Sequence, residues 1–305
     1  MSERFKVIFA YTAICTIWGS TWLVIKIGLE TMTPLLSAGL RFAVAGIILY
    51  GIIRMRKIPI PWNEKTRWFY FVIAFTSFSV PFGLVYWGEH QISSGMTSIL
   101  FATYPLWVAI ISSLLIPEDR ITAAKIVGVL LGFIGVVVIF SHNVQFDASS
   151  ATLLGMGAVI LSGAIQAFSA VTIKKHGHEI SPFVVSFVPM TISAVMLLAG
   201  SYFVEDLSAV QFTPSALFSI IFLAIFGTIV TFVSYFWLLK RVEVVILSLT
   251  AFVTPVIAVL LGVIILKEQV FPELFAGASL VFLGIASANF SDIRSLIRKR
   301  FSAEK

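Results

Sequence analysis

The chain has 305 residues, 59% of them hydrophobic and only 12% charged, with a mean hydropathy of +1.01, against about 25% charge in an average soluble protein. These figures exclude an ordinary soluble domain. The net charge of +6 does not make a nucleic-acid binder, because the basic residues are spread over short connectors and form no patch on a soluble face. The lone cysteine, Cys15, lies in the first apolar segment and can build neither an internal disulfide nor a thiolate zinc site; it is expected to be a small core residue.

Apolar stretches run at about residues 6–29, 33–54, 68–88, 92–116, 121–140, 152–173, 182–203, 215–239, 244–266 and 271–290. A bilayer-crossing helix takes about 20 apolar residues, so ten spans is the simplest count. The start MSERFK followed by a long apolar run is too long for a signal peptide and lacks a small-residue cleavage site; it reads as a retained first helix. Pro34, Pro117, Pro182, Pro214 and Pro272 fall at the segment ends, where a residue without an amide donor suits a first turn or a break.

Short loops rich in lysine and arginine stay in the cytoplasm. Alternate connectors and the two ends of the chain collect 18 of the 21 basic residues, the other side receives only Lys26 and Lys267, and Arg41 lies inside the second span. Both termini are therefore expected in the cytoplasm of an inner (plasma) membrane, and an even span count agrees. The basic tail 291–305 acts as a topology determinant or touches anionic lipid.

The two halves resemble each other, the mark of a repeated membrane fold. TYPLWVAIISSLLIPED (Thr103 to Asp119) matches VTPVIAVLLGVIILKEQ (Val253 to Gln269), with Pro105 and Pro255 each preceding an acidic residue, Glu118 and Glu268, by the same interval. Gly128 and Gly135 face Gly277 and Gly284 after a one-residue gap, and Tyr86–Trp87 corresponds to Phe236–Trp237. The expected division is a five-helix repeat over 1–141 and another over 152–290. Because five is odd, the second enters the membrane from the opposite side, so the halves are inverted. Inverted repeats surround a site near the membrane midplane in secondary transporters.

WGSTW (Trp18 to Trp22), LRFAVAG (Leu40 to Gly46), YWGEHQISSG (Tyr86 to Gly95), the two Pro-to-Glu blocks and GVLLGFIGVVVI (Gly128 to Ile139), in this order, resemble the drug/metabolite transporter superfamily in its EamA-like branch of ten-span permeases. The resemblance covers nearly the whole chain. It implies an all-α polytopic membrane protein and a transporter, not an enzyme, that exports or imports amino acids, other metabolites or drugs. It names no single cargo and no cofactor.

Ionisable residues inside spans cost several kcal/mol and usually face a bundle interior or a cavity. Arg41 sits about eight residues into its helix, or roughly 12 Å at 1.5 Å per residue. It either places a cation in the cavity, bonds neighbouring carbonyls to hold helices together, or snorkels outward. Tyr86, Glu89 and His90 stand at i, i+3 and i+4, one helical face. Glu89 and His90 either couple transport to protons or are solvated beyond the third span.

Trp18, Trp22, Tyr86, Tyr104 and Trp107, with Tyr235 and Trp237 of the second half, are expected to line an aromatic cavity, the alternative being ordinary interface aromatics, which is the reading for Trp62, Trp68 and Tyr70. Gln166 and Ser169, with Thr228, Thr231 and Ser234, offer neutral hydrogen bonds to a cargo or between helices. Pro105 and Pro255 are expected hinges or gates at matching places in the halves.

Gly128, Gly132 and Gly135 have small-xxx-small spacing inside an apolar span, which means close helix packing and no phosphate loop. His176, His178 and Glu179 read as a solvated turn, since zinc needs three or four ligands; no metal is expected. The expected function is a secondary transporter of a small metabolite or drug-like amphiphile, directed outward, working by alternating access. Its expected partners are the cargo and the bilayer and no nucleic acid, with proton coupling and a homodimer left as open alternatives. A membrane enzyme on a lipid-linked substrate and a receptor or accessory subunit without flux remain the alternatives.

Overall fold

The computed structural model describes residues 2–116, 122–140, 149–257 and 272–288. Among them no strand occurs. The helices are α1 (Glu3–Leu29), α2 (Pro34–Met55), α3 (Glu64–Gln91), α4 (Ser94–Phe101), α5 (Tyr104–Leu115), α6 (Ala123–Phe140), α7 (Ser150–His176), α8 (Pro182–Val204), α9 (Pro214–Leu239), α10 (Val244–Ile257) and α11 (Pro272–Ala288). Seven helical segments are long and apolar enough to cross a membrane, and three shorter apolar ones accompany them. The expected fourth span is the broken pair α4–α5, so the chain is a polytopic all-α membrane protein with one helix, or helix pair, per expected span. Glu118, Lys267 and Glu268 lie outside the described residues, as do Pro117 and the basic tail.

Local chemistry sets the helix ends. Pro34, Pro182 and Pro214 occupy first turns, where the missing N–H has no helical partner to lose. Ser2, Ser93, Ser149 and Thr213 accept an amide with their hydroxyls at N-caps. Asn63 and Thr66 form a reciprocal capping box.

Apolar side chains point outward as well as inward. Ile47, Leu114 and Phe203 are 72%, 75% and 80% exposed, while Arg41, Glu89 and Thr228 are buried. That distribution suits a protein whose surroundings are hydrocarbon. Trp62 and Trp68 are exposed as expected of interface aromatics. Tyr70 is not: it is fully buried, with its hydroxyl donating to the Pro61 carbonyl at 3.1 Å, because it faces the bundle and the connector supplies an acceptor.

Helix pairing links early elements to late ones. α2 packs on α8, α3 on α7, α1 on α9, and α6 on α11. The α6–α11 contact is a glycine seam: a Cβ on Gly135 would lie 2.6 Å from the Gly277 carbonyl oxygen. Gly132 in turn accepts the ring of Phe252 from α10. Without side chains the two backbones approach closely, which is how helices associate where lipid offers no hydrophobic drive.

Two wide π-helical turns interrupt the long helices, at Ala74–Ser79 in α3 and Ile225–Val230 in α9. Such turns disturb the regular ladder, and each has a carbonyl bonded from outside its helix. Ser193 Oγ of α8 donates to the Ala74 carbonyl at 2.8 Å. Arg41 Nη2 of α2 donates to the Gly227 carbonyl at 2.7 Å.

Pro105 and Pro255 do not sit in matching bends. The chain breaks at Ala102–Thr103, and Pro105 lies in the first turn of α5. In α10 the irregular residue is Leu249, six positions before Pro255. The carbonyl of Ala251, which proline deprives of its amide partner, instead accepts the Thr254 hydroxyl at 3.4 Å, so the helix continues through the proline.

The seam is testable. In Gly284→Ala the new Cβ would meet the Gly128 carbonyl oxygen at 2.5 Å and the Gly132 nitrogen at 2.7 Å, backbone that cannot rotate away, and a loss of about 1–3 kcal/mol is expected. Gly51→Ala has nothing within 4 Å of its Cβ and should gain roughly 0.5–1 kcal/mol from helix propensity. Thermal unfolding of the purified variants in detergent checks both signs.

Candidate functional site

A cavity of about 90 Å³ lies where α1, α2, α3, α4, α5, α7, α9 and α10 converge, several times the roughly 10–15 Å³ that one water occupies on this measure. Eight of its 18 described lining residues are aromatic. Trp18 meets Phe232 and Tyr235 with ring centres 5.6 and 5.4 Å apart, Trp22 meets Phe101 at 5.4 Å, and Phe101 stacks on Tyr104 at 5.6 Å. The Tyr104 and Tyr235 hydroxyls share a hydrogen bond of 2.7 Å. This bond joins α5 to α9 across the cavity.

Arg41 is the charged residue among the described lining residues. It is 2% exposed, so it neither snorkels nor meets solvent. Nε donates to Thr228 Oγ1 at 2.7 Å, Nη1 to the Tyr86 hydroxyl at 3.1 Å and Nη2 to the Gly227 carbonyl at 2.7 Å. Its guanidinium also sits 5.0 Å from the Phe82 ring centre, within cation–π range. Arg41 thus does two of the expected things at once: it ties α2 to α3 and α9, and it presents its charge to the cavity.

The Tyr86, Glu89 and His90 group divides. Tyr86 and Glu89 are completely buried, whereas His90 is exposed, with Nδ1 3.2 Å from the Gln91 side-chain nitrogen. Adjacent residues on a helix point in different directions, so Glu89 and His90 do not share a site. Neither Glu89 carboxyl oxygen has a hydrogen-bond partner. Beside it, Lys26 Nζ donates to the Glu89 and Ile92 carbonyls at 2.7 and 3.1 Å, closing the C-terminal end of α3. Lys174 does the same for α9, donating to the Leu239 and Val242 carbonyls at 2.6 and 2.8 Å. In both cases a lysine satisfies last-turn carbonyls that have no helical partner.

Of the expected cavity residues, Trp18, Trp22, Arg41, Tyr104, Gln166 and Tyr235 are on the wall. Tyr86 stands behind it, bonded to Arg41. Trp107 and Trp237 are not on it. The Trp107 indole nitrogen is buried elsewhere without a partner, and Trp237 is stacked by the Arg241 guanidinium at 3.9 Å, because it lies in the last turn of α9 beside the basic connector. Thr228 is engaged by Arg41.

A sequence profile described as the EamA-like transporter family matches residues 5–141 and again 153–290. The chain belongs to the EamA-like transporter family. Among its relatives, the uncharacterized transporter YoaV of Bacillus subtilis is 26% identical over 94% of this chain and 97% of its own. The uncharacterized inner membrane transporter YedA of Escherichia coli is 29% identical over 83% of this chain and 80% of its own. A crystal structure superposes with a TM-score of 0.81 at 18% identity, covering 96% of this chain and 99% of that one; at that identity the likeness concerns the fold.

In this EamA-like chain some site residues carried no signal in the sequence. Phe82 and Phe232 are apolar residues in apolar spans, and Gly227 serves Arg41 through its backbone. Lys26 did carry one, as a lone cation near the end of an apolar helix; Lys174 stands in a basic run with Lys175 and His176, which hides its separate role. Lys26→Met and Lys174→Met should each cost about 1.5–3 kcal/mol, the range for hydrogen bonds made by charged groups, in detergent unfolding measurements, while the exposed Lys65→Met should change nothing.

Proposed function

We propose that this protein is a secondary transporter that moves a small amphipathic metabolite or drug-like molecule outward through the inner membrane, by rocking two inverted five-helix halves, 1–141 and 152–290, around the central cavity. The observation that carries the reading is the aromatic-rich cavity lined by residues of both halves, the place where inverted-repeat transporters hold cargo. The duplicated lysine caps support the inversion. Consecutive crossings put the C-terminal ends of the third and eighth spans on opposite faces, and each is closed by a lysine from its neighbour.

Alternating access needs contacts between halves that can break. The Tyr104–Tyr235 hydrogen bond and the ion pair of Lys125 with Glu243 join the halves and are assigned as gate contacts. The break before Pro105 and the irregular Leu249 before Pro255 are assigned as the flexible points. By the distribution of basic residues, both termini lie in the cytoplasm.

Glu89 is assigned as the coupling proton site. Its carboxyl is buried, without a hydrogen bond, and the Lys26 ammonium is bonded to the Glu89 backbone carbonyl. A rocking motion that wets this position lets the carboxyl exchange a proton, and closure commits it. His90, exposed, has no part in this step.

Counterflow of labelled metabolites in proteoliposomes tests the transport reading; exchange without chemical conversion of the cargo is expected, and its absence across a broad panel would overturn it. For coupling, wild-type flux should follow an imposed pH gradient and Glu89→Gln flux should not. Equal pH responses in the two proteins would remove Glu89 from that role.

A further inference from the structure

Among the polar groups of the cavity wall, which include the neutral Gln166 and Ser77, the N–H donors of Arg41 and Trp22 narrow the chemistry of a ligand. A guanidinium has five N–H donors. Arg41 uses three of them on Thr228, Tyr86 and Gly227, leaving one on each terminal nitrogen. It enters no ion pair among the described residues, so its charge is buried without a counter-ion. Trp22, on the same wall, has a buried indole N–H with no hydrogen-bond partner. No carboxylate is among the described residues of the wall. Thr21, Thr250 and Thr254 direct their hydroxyl hydrogens to carbonyls of their own helices.

We infer that the cargo is an organic monocarboxylate with an apolar, ring-sized body and no positive charge. The carboxylate takes the two remaining Arg41 N–H groups and the Trp22 N–H, and the body lies among Trp18, Phe232 and Tyr235. A buried charge is costly until paired. A carboxylate supplies the missing counter-ion, whereas a neutral amide leaves the guanidinium unpaired. A zwitterionic amino acid brings an ammonium group for which the described wall has no anion. Arg41 is held in place by its three existing bonds, so little ordering is needed on binding. The inference rests on the reading of the cavity as the cargo site and narrows it from amphiphiles in general to monocarboxylates without an ammonium group.

Three compounds with one skeleton test it: 3-phenylpropanoate, 3-phenylpropanamide and L-phenylalanine. Binding to the full-length protein in nanodiscs is read by quenching of tryptophan fluorescence, and exchange is read separately by counterflow. The acid should bind at least about 10-fold more tightly than the amide or the amino acid, the scale of a charge-assisted hydrogen bond. Arg41→Gln should abolish the preference for acid over amide, Arg41→Lys should retain part of it by keeping the charge without the fork, and Trp22→Phe should weaken the acid alone. Folding of each variant is checked by thermal unfolding. If Arg41→Gln does not fold, the Arg41→Lys and Trp22→Phe series decides.

Equal binding of the three compounds by wild type, failure of the acid to bind, or an unchanged preference in Arg41→Gln or, failing that, in both other variants overturns the inference. Preferential acid binding without counterflow of any compound would sink the transport reading and leave the ligand class standing. Counterflow of all three at equal efficiency would do the reverse.

Discussion

A guanidinium held inside a membrane protein must find enough acceptors to offset the several kcal/mol that burial of its charge costs, and the way Arg41 meets that constraint organises the centre of this molecule. Its acceptors come from two other helices: a tyrosine hydroxyl of α3, and a threonine hydroxyl and a backbone carbonyl of α9. The carbonyl belongs to a π-helical turn, where the backbone departs from its regular bonding. The irregular turn and the buried cation therefore support each other, and α2, α3 and α9 are fixed at the level of the cavity.

The other π-helical turn, in α3, is engaged by a serine of α8 in place of an arginine. The two halves thus share backbone features while differing in charge at the centre. The lysine caps of α3 and α9 are, by contrast, closely alike, because helix ends pose the same unsatisfied-carbonyl problem in either half.

Much of the architecture was legible in the sequence because lipid imposes a coarse rule, about 20 apolar residues per crossing, and the chain follows it. The helix-starting prolines and the glycine spacing of α6 were readable for similarly local reasons. The site was legible where a residue breaks the apolar rule, as Arg41 and Glu89 do, or where large aromatics sit deep in a span, as Trp18 and Tyr104 do. It was not legible where direction matters. Whether Trp237 faces the cavity or the connector, and whether His90 accompanies Glu89, depends on helix rotation, which a uniformly apolar span does not encode. Nor does proline spacing reveal that Pro255 sits inside a continuing helix, because the rescue comes from a neighbouring threonine hydroxyl.

The pairing of α1 with α9, α2 with α8, α3 with α7 and α6 with α11 also bears on biosynthesis. A chain inserted from its N-terminus places the first five spans in the bilayer before their principal partners have been made. Helices in lipid form first and associate afterwards, so the early spans wait with Arg41 and Glu89 lacking their final surroundings, and the glycine face of α6 stays open until the last helix arrives. Assembly is completed by the C-terminal half threading its helices among those already present, which makes the integrity of the final span a condition for the packing of the fifth.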